Sequence, residues 1–282
     1  MSPAVRFTTT EPPFRFRQGT RPLLISMPHV GTHVPPALAA RLTDEAQGVP
    51  DTDWHLERLY DFADALGASV LVATHSRYVI DLNRPPDGAS LYPGQSVTGL
   101  CPVDTFDDTP LYRDPADHPT EAEIAARRDA IWQPYHAQLA QELARLREVH
   151  GVAALWDAHS IRSVLPRFFE GQLPDLNLGT ANGASCDPAL AEQLLAIGQS
   201  APGYTAVLNG RFKGGHITRQ HGNPAQGIHA VQLEMTQCSY MQESWPFDYL
   251  PEVAAGVKPH VRLMLEAVLA FVETQGHQAR LS

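Results

Sequence analysis

The sequence predicts an α/β fold, a three-layer α/β/α sandwich with a mixed, mostly parallel central sheet. Short apolar runs bounded by polar residues recur along the chain and are typical of buried strands. Helical stretches separate several of these runs, as connections between parallel strands require. Polar side chains follow several runs, and ligands of open α/β sheets bind beyond the carboxyl ends of such strands. We therefore expect a single domain, residues 1–282, with a site along one rim of its sheet.

The composition argues against several classes of partner. Hydrophobic residues make up 43% of the chain, enough for a sizeable core. With 21 Lys and Arg against 31 Asp and Glu, the net charge of −10 argues against nucleic acid or an anionic membrane as the main partner. Three widely spaced cysteines without a CxxC pattern, no apolar leader and no membrane-length apolar run predict a cytoplasmic protein.

The first predicted strand, residues 22–27, ends just before His29, so an imidazole stands at its carboxyl end. Apolar residues at helical spacing then predict a helix over residues 56–66, preceded by Asp51 and Asp53. Either carboxylate can cap this helix, where its charge interacts favourably with the helix dipole. Alternatively, one of them lies at the top of the sheet and supplies a carboxylate to a metal.

Two further apolar runs, residues 69–73 and 77–82, predict strands, and the second leads into Arg84. A guanidinium near a strand end, such as that of Arg77 or Arg84, is suited to clamp a carboxylate because its planar fork binds two oxygens. Residues 86–120 show little periodicity and predict a long loop, which in a compact domain is often functional.

A long amphipathic helix is predicted over residues 120–150, and it opens with Thr120 and Glu123 at capping-box spacing. The strand predicted over residues 152–158 comes next and delivers His159 to its end. A lone histidine in that position is more often structural than a ligand, so only its neighbours can assign it to a metal.

The last third of the chain supplies an anion-binding and an acid-base candidate. The loop over residues 211–222 is rich in Gly, His and Arg, including Arg219, and this composition is suited to an anion. The strand over residues 228–233 delivers Glu234, a candidate general base whose pKa burial would raise.

Four of these groups are expected along one rim of the sheet: His29, Asp53, His159 and Glu234. Two imidazoles and a carboxylate are the usual ligands of a catalytic zinc, which keeps one position open for water. Zinc lowers the pKa of that water and polarises a carbonyl, while a free glutamate can take the proton. HExxH, GxSxG, GxGxxG and P-loop motifs are absent from the sequence, which disfavours a serine nucleophile at Ser160.

Several strings of the sequence resemble the N-formylglutamate amidohydrolases (N-formylglutamate deformylases), in the same order over most of the chain. The most specific strings are SRYVIDLNR at 76–84 and WDAHSIRS at 156–163, beside SMPHVG at 26–31, TDWH at 52–55 and QLE at 232–234. The resemblance implies hydrolysis of N-formyl-L-glutamate to formate and L-glutamate, a step of histidine degradation. It also implies a zinc-exopeptidase-like (phosphorylase/hydrolase-like) fold.

The same resemblance implies roles for individual residues. A divalent metal ion, with zinc as the expected one, would be bound by His29 and His159 together with Asp53, or with Asp51 in its place. Glu234 would be the base, and Asp157 would orient an imidazole. The substrate has two carboxylates, for which the candidate contacts are Arg84, Arg162 and Arg219, with Arg77 and Asn83 as helpers.

Two alternatives to this function stay open from the sequence. The first is an amidase that acts on another N-acyl amino acid or on a peptide. In the main interpretation the partner of the protein is a small-molecule N-acyl amino acid substrate. The second is a non-catalytic protein that binds a metal or a dicarboxylate, which would be favoured if Glu234 lay away from the centre of the site.

Overall fold

A computed structural model describes residues 7–90 and 97–279 of the chain. Seven strands form one sheet in the order β1-β3-β2-β4-β7-β5-β6. Their bounds are β1 Phe14–Arg17, β2 Leu23–Met27, β3 Ser69–Ala73, β4 Ala153–Ile161, β5 Leu176–Gly179, β6 Ala206–Leu208 and β7 Ile228–Thr236. Strands β3, β2, β4 and β7 run parallel, β1 is antiparallel to β3, and β5 is antiparallel to β7 and parallel to β6. The predicted mixed, mostly parallel α/β fold is therefore confirmed.

Helices connect the strands, and the start predicted at Thr120 is formed as expected. The α-helices are α1 Pro36–Ala39, α2 Asp44–Gln47, α3 Leu56–Leu59, α4 Glu121–Arg127, α5 Gln133–His150, α6 Pro188–Ser200, α7 His216–His221 and α8 Pro251–Ala279. A π-helical segment, Arg128–Trp132, joins α4 to α5. The side chain of Thr120 accepts a hydrogen bond from the backbone of Glu123 at the start of α4, as the capping-box spacing predicts. Asp187 caps α6 in the same way through the backbone of Ala189.

Helices cover both faces of the sheet, and alternation along β4 shows the two layers. Because successive strand side chains point to opposite faces, Ala154 and Trp156 pack with the apolar residues of α6 and α8. Ala153 and Leu155 point the other way and pack with the apolar stripe of α5. Consequently β4 is buried along its whole length, which is why its first four residues, Ala153 to Trp156, are all apolar.

Two local predictions differ from the structure. Residues 77–82 form turns instead of a strand, and the backbone of Val79 donates to the carbonyl of Ser76. The run is apolar because it is buried against the α5 face of the sheet, and an apolar run alone does not reveal whether a ladder partner exists. The helix predicted over residues 56–66 is limited to α3, which is followed by a short 3₁₀ segment, Asp61–Ala63.

The long loop predicted over residues 86–120 has one 3₁₀ turn, Pro115–Asp117, in its described part, and residues 91–96 lie outside the described residues. The loop predicted over residues 211–222 contains the short helix α7. Across residues 7–90 and 97–279, every helix is too short or too polar to cross a membrane.

Candidate active site

The candidate site lies where the carboxyl ends of three adjacent strands meet. His29 follows the end of β2 by two residues, while His159 and Glu234 are direct partners in the ladder between β4 and β7. Asp53 comes from the segment before α3, and its backbone N–H donates to the carbonyl oxygen of His29 at 3.0 Å. The order of the parallel strands therefore brings together four groups that are far apart in sequence.

Three ligand atoms of this group converge on one point. Nδ1 of His159 lies 3.2 Å from Nδ1 of His29 and 3.2 Å from Oδ2 of Asp53, and Nδ1 of His29 lies 3.7 Å from the same oxygen. The three side chains are buried and form the group whose ligand atoms all lie within 4.8 Å of one another. This spacing matches a set of ligands around one metal ion.

The opposite nitrogen of each imidazole contacts a carboxylate. Nε2 of His29 lies 2.7 Å from Oδ1 of Asp81, and Nε2 of His159 lies 3.0 Å from Oδ2 of Asp157. A carboxylate accepts hydrogen bonds only, so each Nε2 carries the proton and each Nδ1 of a neutral ring presents a lone pair. Two lone pairs and the carboxylate of Asp53 then face one another, an arrangement that fits a divalent cation such as zinc.

The electrostatics of the two histidines differ. Burial and the charge of Arg77 lower the pKa of His29, which favours the neutral ring that a metal requires. Burial also opposes the charging of His159, but Asp157 and Asp53 outweigh it and hold the pKa of His159 well above its ordinary value. The surroundings of Nδ1 of His159 thus attract positive charge, whether a proton or a metal ion carries it.

Of the two carboxylates that the sequence left open, Asp53 joins the histidines and Asp51 does not. Oδ2 of Asp51 accepts from the hydroxyl of Tyr78 at 2.6 Å and from the backbone of Phe106 at 2.8 Å. Neither carboxylate caps α3, because His55 stands at its N-cap in the left-handed conformation. Tertiary contacts therefore distinguish two residues whose local sequence positions are nearly equivalent.

Glu234 is 7% exposed and lies in a cavity with both histidines. Burial raises its pKa to about 8, against the opposing charge of His159. Its Oε2 accepts a hydrogen bond from Nε2 of Gln232 at 3.1 Å. A carboxyl with this pKa exchanges its proton near neutral pH, which suits a general base.

The cavity combines cationic and aromatic walls. Its cationic lining residues are Arg77, Arg84 and Arg211, and its apolar ones include Phe106, Ile161, Phe168 and Phe212. The guanidinium of Arg77 lies 4.6 Å from the ring centroid of Phe106 and donates to Oδ2 of Asp81 at 2.7 Å. An anionic, partly apolar ligand would match this lining.

Three of the predicted substrate contacts, Arg77, Arg84 and Asn83, line this cavity beside the two histidines. Nε of Arg84 donates to the carbonyl of Thr98 at 2.9 Å, which fixes the guanidinium at the wall. Nδ2 of Asn83 lies 3.1 Å from Nε2 of His159, and its Oδ1 accepts from the backbone of Ile217 at 2.8 Å. Asn83 thus contacts the imidazole of His159 and the start of α7.

The two other predicted arginines lie elsewhere. Arg162 donates to Asp107 at 2.7 Å and lines a separate surface groove that contains the exposed Trp245. Arg219 lies on α7, and its Nε donates to the carbonyl of Gly214 at 2.8 Å. Neither is among the residues that line the cavity in the described part of the chain. Their substrate-binding role stays a prediction without support from this placement.

Three residues of the site were missed from the sequence: Asp81, Arg211 and Gln232. Arg211 lies in the same Gly- and Arg-rich loop as Arg219, and composition alone does not rank the two. Gln232 precedes Glu234 by two residues, so the strand period places both side chains on one face. That period was the available signal for Gln232, whereas Asp81 lies in irregular backbone after the turn at residues 77–79, where no period applies.

The fold and the cavity define an α/β protein with a candidate metal site and a buried carboxyl at its strand ends. The chain belongs to the N-formylglutamate amidohydrolase family, whose sequence model matches residues 21–241. It is 55% identical to the N-formylglutamate deformylase of Pseudomonas aeruginosa and 54% identical to that of Pseudomonas putida, over 91% of this chain and 96% and 95% of those proteins. The crystal structure of N-formylglutamate amidohydrolase from Ralstonia eutropha JMP134 superposes with a TM-score of 0.80 at 25% identity, covering 93% of this chain and 99% of that one.

Proposed function

We propose that this protein hydrolyses N-formyl-L-glutamate to formate and L-glutamate. We further propose that it requires a divalent metal ion, which we expect to be zinc. The observation that carries the proposal is the convergence of His29, Asp53 and His159 beside Glu234 in one cavity. The names of the 54–55% identical relatives support the substrate. Formate and glutamate as products are consistent with a step of histidine degradation.

His29, Asp53 and His159 would hold the metal, and Asp81 and Asp157 would fix the two imidazoles in the tautomer that presents Nδ1. When bound, the metal supplies a Lewis acid that polarises the formyl carbonyl and acidifies a water molecule. The protein itself orients the ligands and excludes bulk water, since all three side chains are buried.

Glu234 would act first as a base and then as an acid. It removes a proton from the attacking water as the C–O bond forms, and it returns that proton to the amide nitrogen as the C–N bond breaks. The remaining hydroxyl proton of the new formic acid passes to the amine, so formate and the ammonium form of glutamate leave and Glu234 ends as the carboxylate that began the cycle. Burial raises the pKa of this carboxyl, which makes its carboxylate form a stronger base for the first transfer.

The cavity lining supports an amino acid with a carboxylate and a small acyl group. We assign carboxylate binding to Arg84 and Arg211, which line the cavity as cations. Phe106, Phe168 and Phe212 line the same cavity. Their bulky rings narrow it, so a formyl group fits more easily than a longer acyl group.

One assay tests the substrate and the metal together. Formate or acetate release is measured from N-formyl-L-glutamate, N-formyl-L-aspartate and N-acetyl-L-glutamate, before and after chelation and after zinc is added back. We expect N-formyl-L-glutamate to have the highest kcat/KM, and we expect chelation to abolish the reaction and zinc to restore it. Preference for the acetyl substrate would identify another N-acyl amidase. Full activity of a sample verified to be metal-free would refute the requirement for a metal ion.

A pair of arginine variants tests the substrate contacts. Arg84→Ala should raise KM about 10- to 100-fold, because a charge-assisted pair is worth about 1.5–3 kcal/mol. Arg162→Ala is the matched control and should leave KM nearly unchanged, since Arg162 lies in the separate groove. An unchanged KM for Arg84→Ala, or a larger effect at Arg162, would contradict this assignment.

The single-domain organisation and the cytoplasmic location are part of the same proposal. Both rest on sequence, and the three free cysteines, two of them buried, are consistent with a reducing compartment. Limited proteolysis that released a stable fragment would contradict the single domain.

A further inference from the structure

Gln232 lies beside the candidate base and contacts a second element of the site. It precedes Glu234 on β7 and is 4% exposed, and both side chains line the cavity. Within the sheet, Gln232 pairs with Asp157 on β4 on one side and with Gly179 on β5 on the other. A Cβ at Gly179 would lie 2.4 Å from the backbone nitrogen of Gly214, so the absence of a side chain there lets the 213–215 segment pass close to the sheet.

The orientation of the Gln232 amide is determined by a backbone donor. The N–H of Gly215 donates to Oε1 of Gln232 at 2.7 Å, and a backbone N–H can pair only with the oxygen end of the amide. Nε2 must therefore be the end that points to Glu234, where it lies 3.1 Å from Oε2. The hydrogen bond to Gly215 thus aims the NH₂ group at the carboxyl.

The same glycine contacts the metal side of the site. A Cβ at Gly215 would lie 2.3 Å from Nδ2 of Asn83, so the backbone packs directly on that amide. Asn83 in turn contacts Nε2 of His159 at 3.1 Å. The start of α7 is therefore held between two amide side chains, one next to a ligand imidazole and the other next to Glu234.

We propose that Gln232 is a positioning residue, which holds Oε2 of Glu234 and aligns the base with the Gly215 segment that borders the cavity. One oxygen of the carboxylate is occupied by the amide, and the other is directed to the reacting water. Rotation of the carboxylate is restricted by a neutral donor, so no further charge enters the site. This inference rests on the proposed role of Glu234 and extends it to a residue that acts through it.

Two variants separate the two hydrogen bonds of the amide. Gln232→Met keeps the length of the side chain and removes both bonds, whereas Gln232→Glu keeps an acceptor for Gly215 and removes the donor to Glu234. Both should lower kcat for N-formyl-L-glutamate about 10- to 100-fold, as loss of an orienting partner does elsewhere. KM and the zinc content per chain should stay within about threefold of the wild type. Gln275→Met is the matched control, because the amide of Gln275 contacts His229 outside the cavity, and it should leave kcat unchanged.

A double-mutant cycle with Glu234→Gln decides whether Gln232 acts through the base. In the Glu234→Gln background, Gln232→Met should change kcat by less than about threefold, because the partner it positions is already inactive. Wild-type kcat in both single variants, loss of zinc parallel to loss of kcat, or independent losses in the double variant would each overturn the inference. An inactive wild-type protein would instead refute the proposed function, so the two failures are distinguishable.

Discussion

The pair formed by His29 and His159 and the group formed by His136, His216 and His221 (the His136 group) use their ring nitrogens in different ways. In the first, His29 and His159 each contact a carboxylate through Nε2, and their Nδ1 atoms face each other at 3.2 Å. In the second, Nε2 of His136 contacts the carbonyl of Leu82 at 2.8 Å, and its Nδ1 contacts Nε2 of His221 at 3.2 Å. The ring of His216 packs against His136 with a centroid distance of 5.3 Å.

This difference teaches that burial alone does not direct a histidine nitrogen toward a candidate metal site. Burial lowers the pKa of His136 to about 3 and that of His221 to about 4, so both rings are neutral and hold each other in place. His159 is equally buried, but carboxylates raise its pKa and leave Nδ1 directed at a shared point. Four predictions test this contrast between the metal group and the His136 group.

The largest effect is expected from removal of one ligand. His159→Ala should lower kcat/KM at least about 10³-fold, because metal catalysis supplies several kcal/mol, and it should lower the zinc content. His136→Phe, which keeps a planar ring, should retain zinc in full. Metal analysis and kinetics on both variants check this prediction, and equal zinc loss in the two would remove the distinction between the groups.

Metal addition should stabilise the protein through the first group only. At a free zinc concentration about 100 times the Kd, binding adds about 2.7 kcal/mol to the free energy of unfolding. Thermal unfolding of metal-free protein should shift to higher temperature on addition of zinc in the wild type and in His136→Phe. His159→Ala should show little shift, and a full shift in that variant would place the metal elsewhere.

A smaller effect is expected from the carboxylates behind the imidazoles. Asp157→Asn removes the charge that contacts Nε2 of His159 and should weaken zinc binding about 10- to 100-fold. A competition titration with a chromophoric chelator measures this change. Asp175→Asn is the control, because that carboxylate accepts from Thr205 away from the cavity and should leave zinc affinity unchanged. Unchanged affinity in Asp157→Asn would contradict the orienting role.

The smallest effect on activity is expected from the His136 group, which should instead make the free energy of unfolding depend on pH. In the unfolded chain an imidazole binds a proton below about pH 6.5, but folded His136 does so only near pH 3. The unfolded state therefore takes up more protons between these values, and the free energy of unfolding should fall by about 1.4 kcal/mol per pH unit below 6.5. Denaturant unfolding of wild type and His136→Phe should show a shallower slope in the variant, and parallel slopes would refute this origin.

Much of the fold was predictable because burial and local geometry leave a periodic trace. The mainly apolar first halves of β4 and β7 mark strands covered on both faces, and the caps at Thr120 and Asp187 are local hydrogen bonds. Residues 77–82 carry a similar apolar signal without a ladder partner, so the same reasoning was wrong there. The pattern reports burial and does not report the element that provides it.

The sequence by itself determined that imidazoles and carboxyls stand at strand ends, since His29, His159 and Glu234 each follow or close an apolar run. Only the tertiary structure decided which carboxylate joins them and which arginines line the cavity. Asp51 and Asp53 are two residues apart, and Arg211 and Arg219 both fall in the segment predicted as one loop, so the local pattern does not distinguish the members of either pair. The strand order and the contacts between distant segments distinguish the members of each pair. A hydrogen bond such as that from the backbone of Asp53 to the carbonyl of His29 depends on how closely two segments of the chain approach, and not on the composition of either segment.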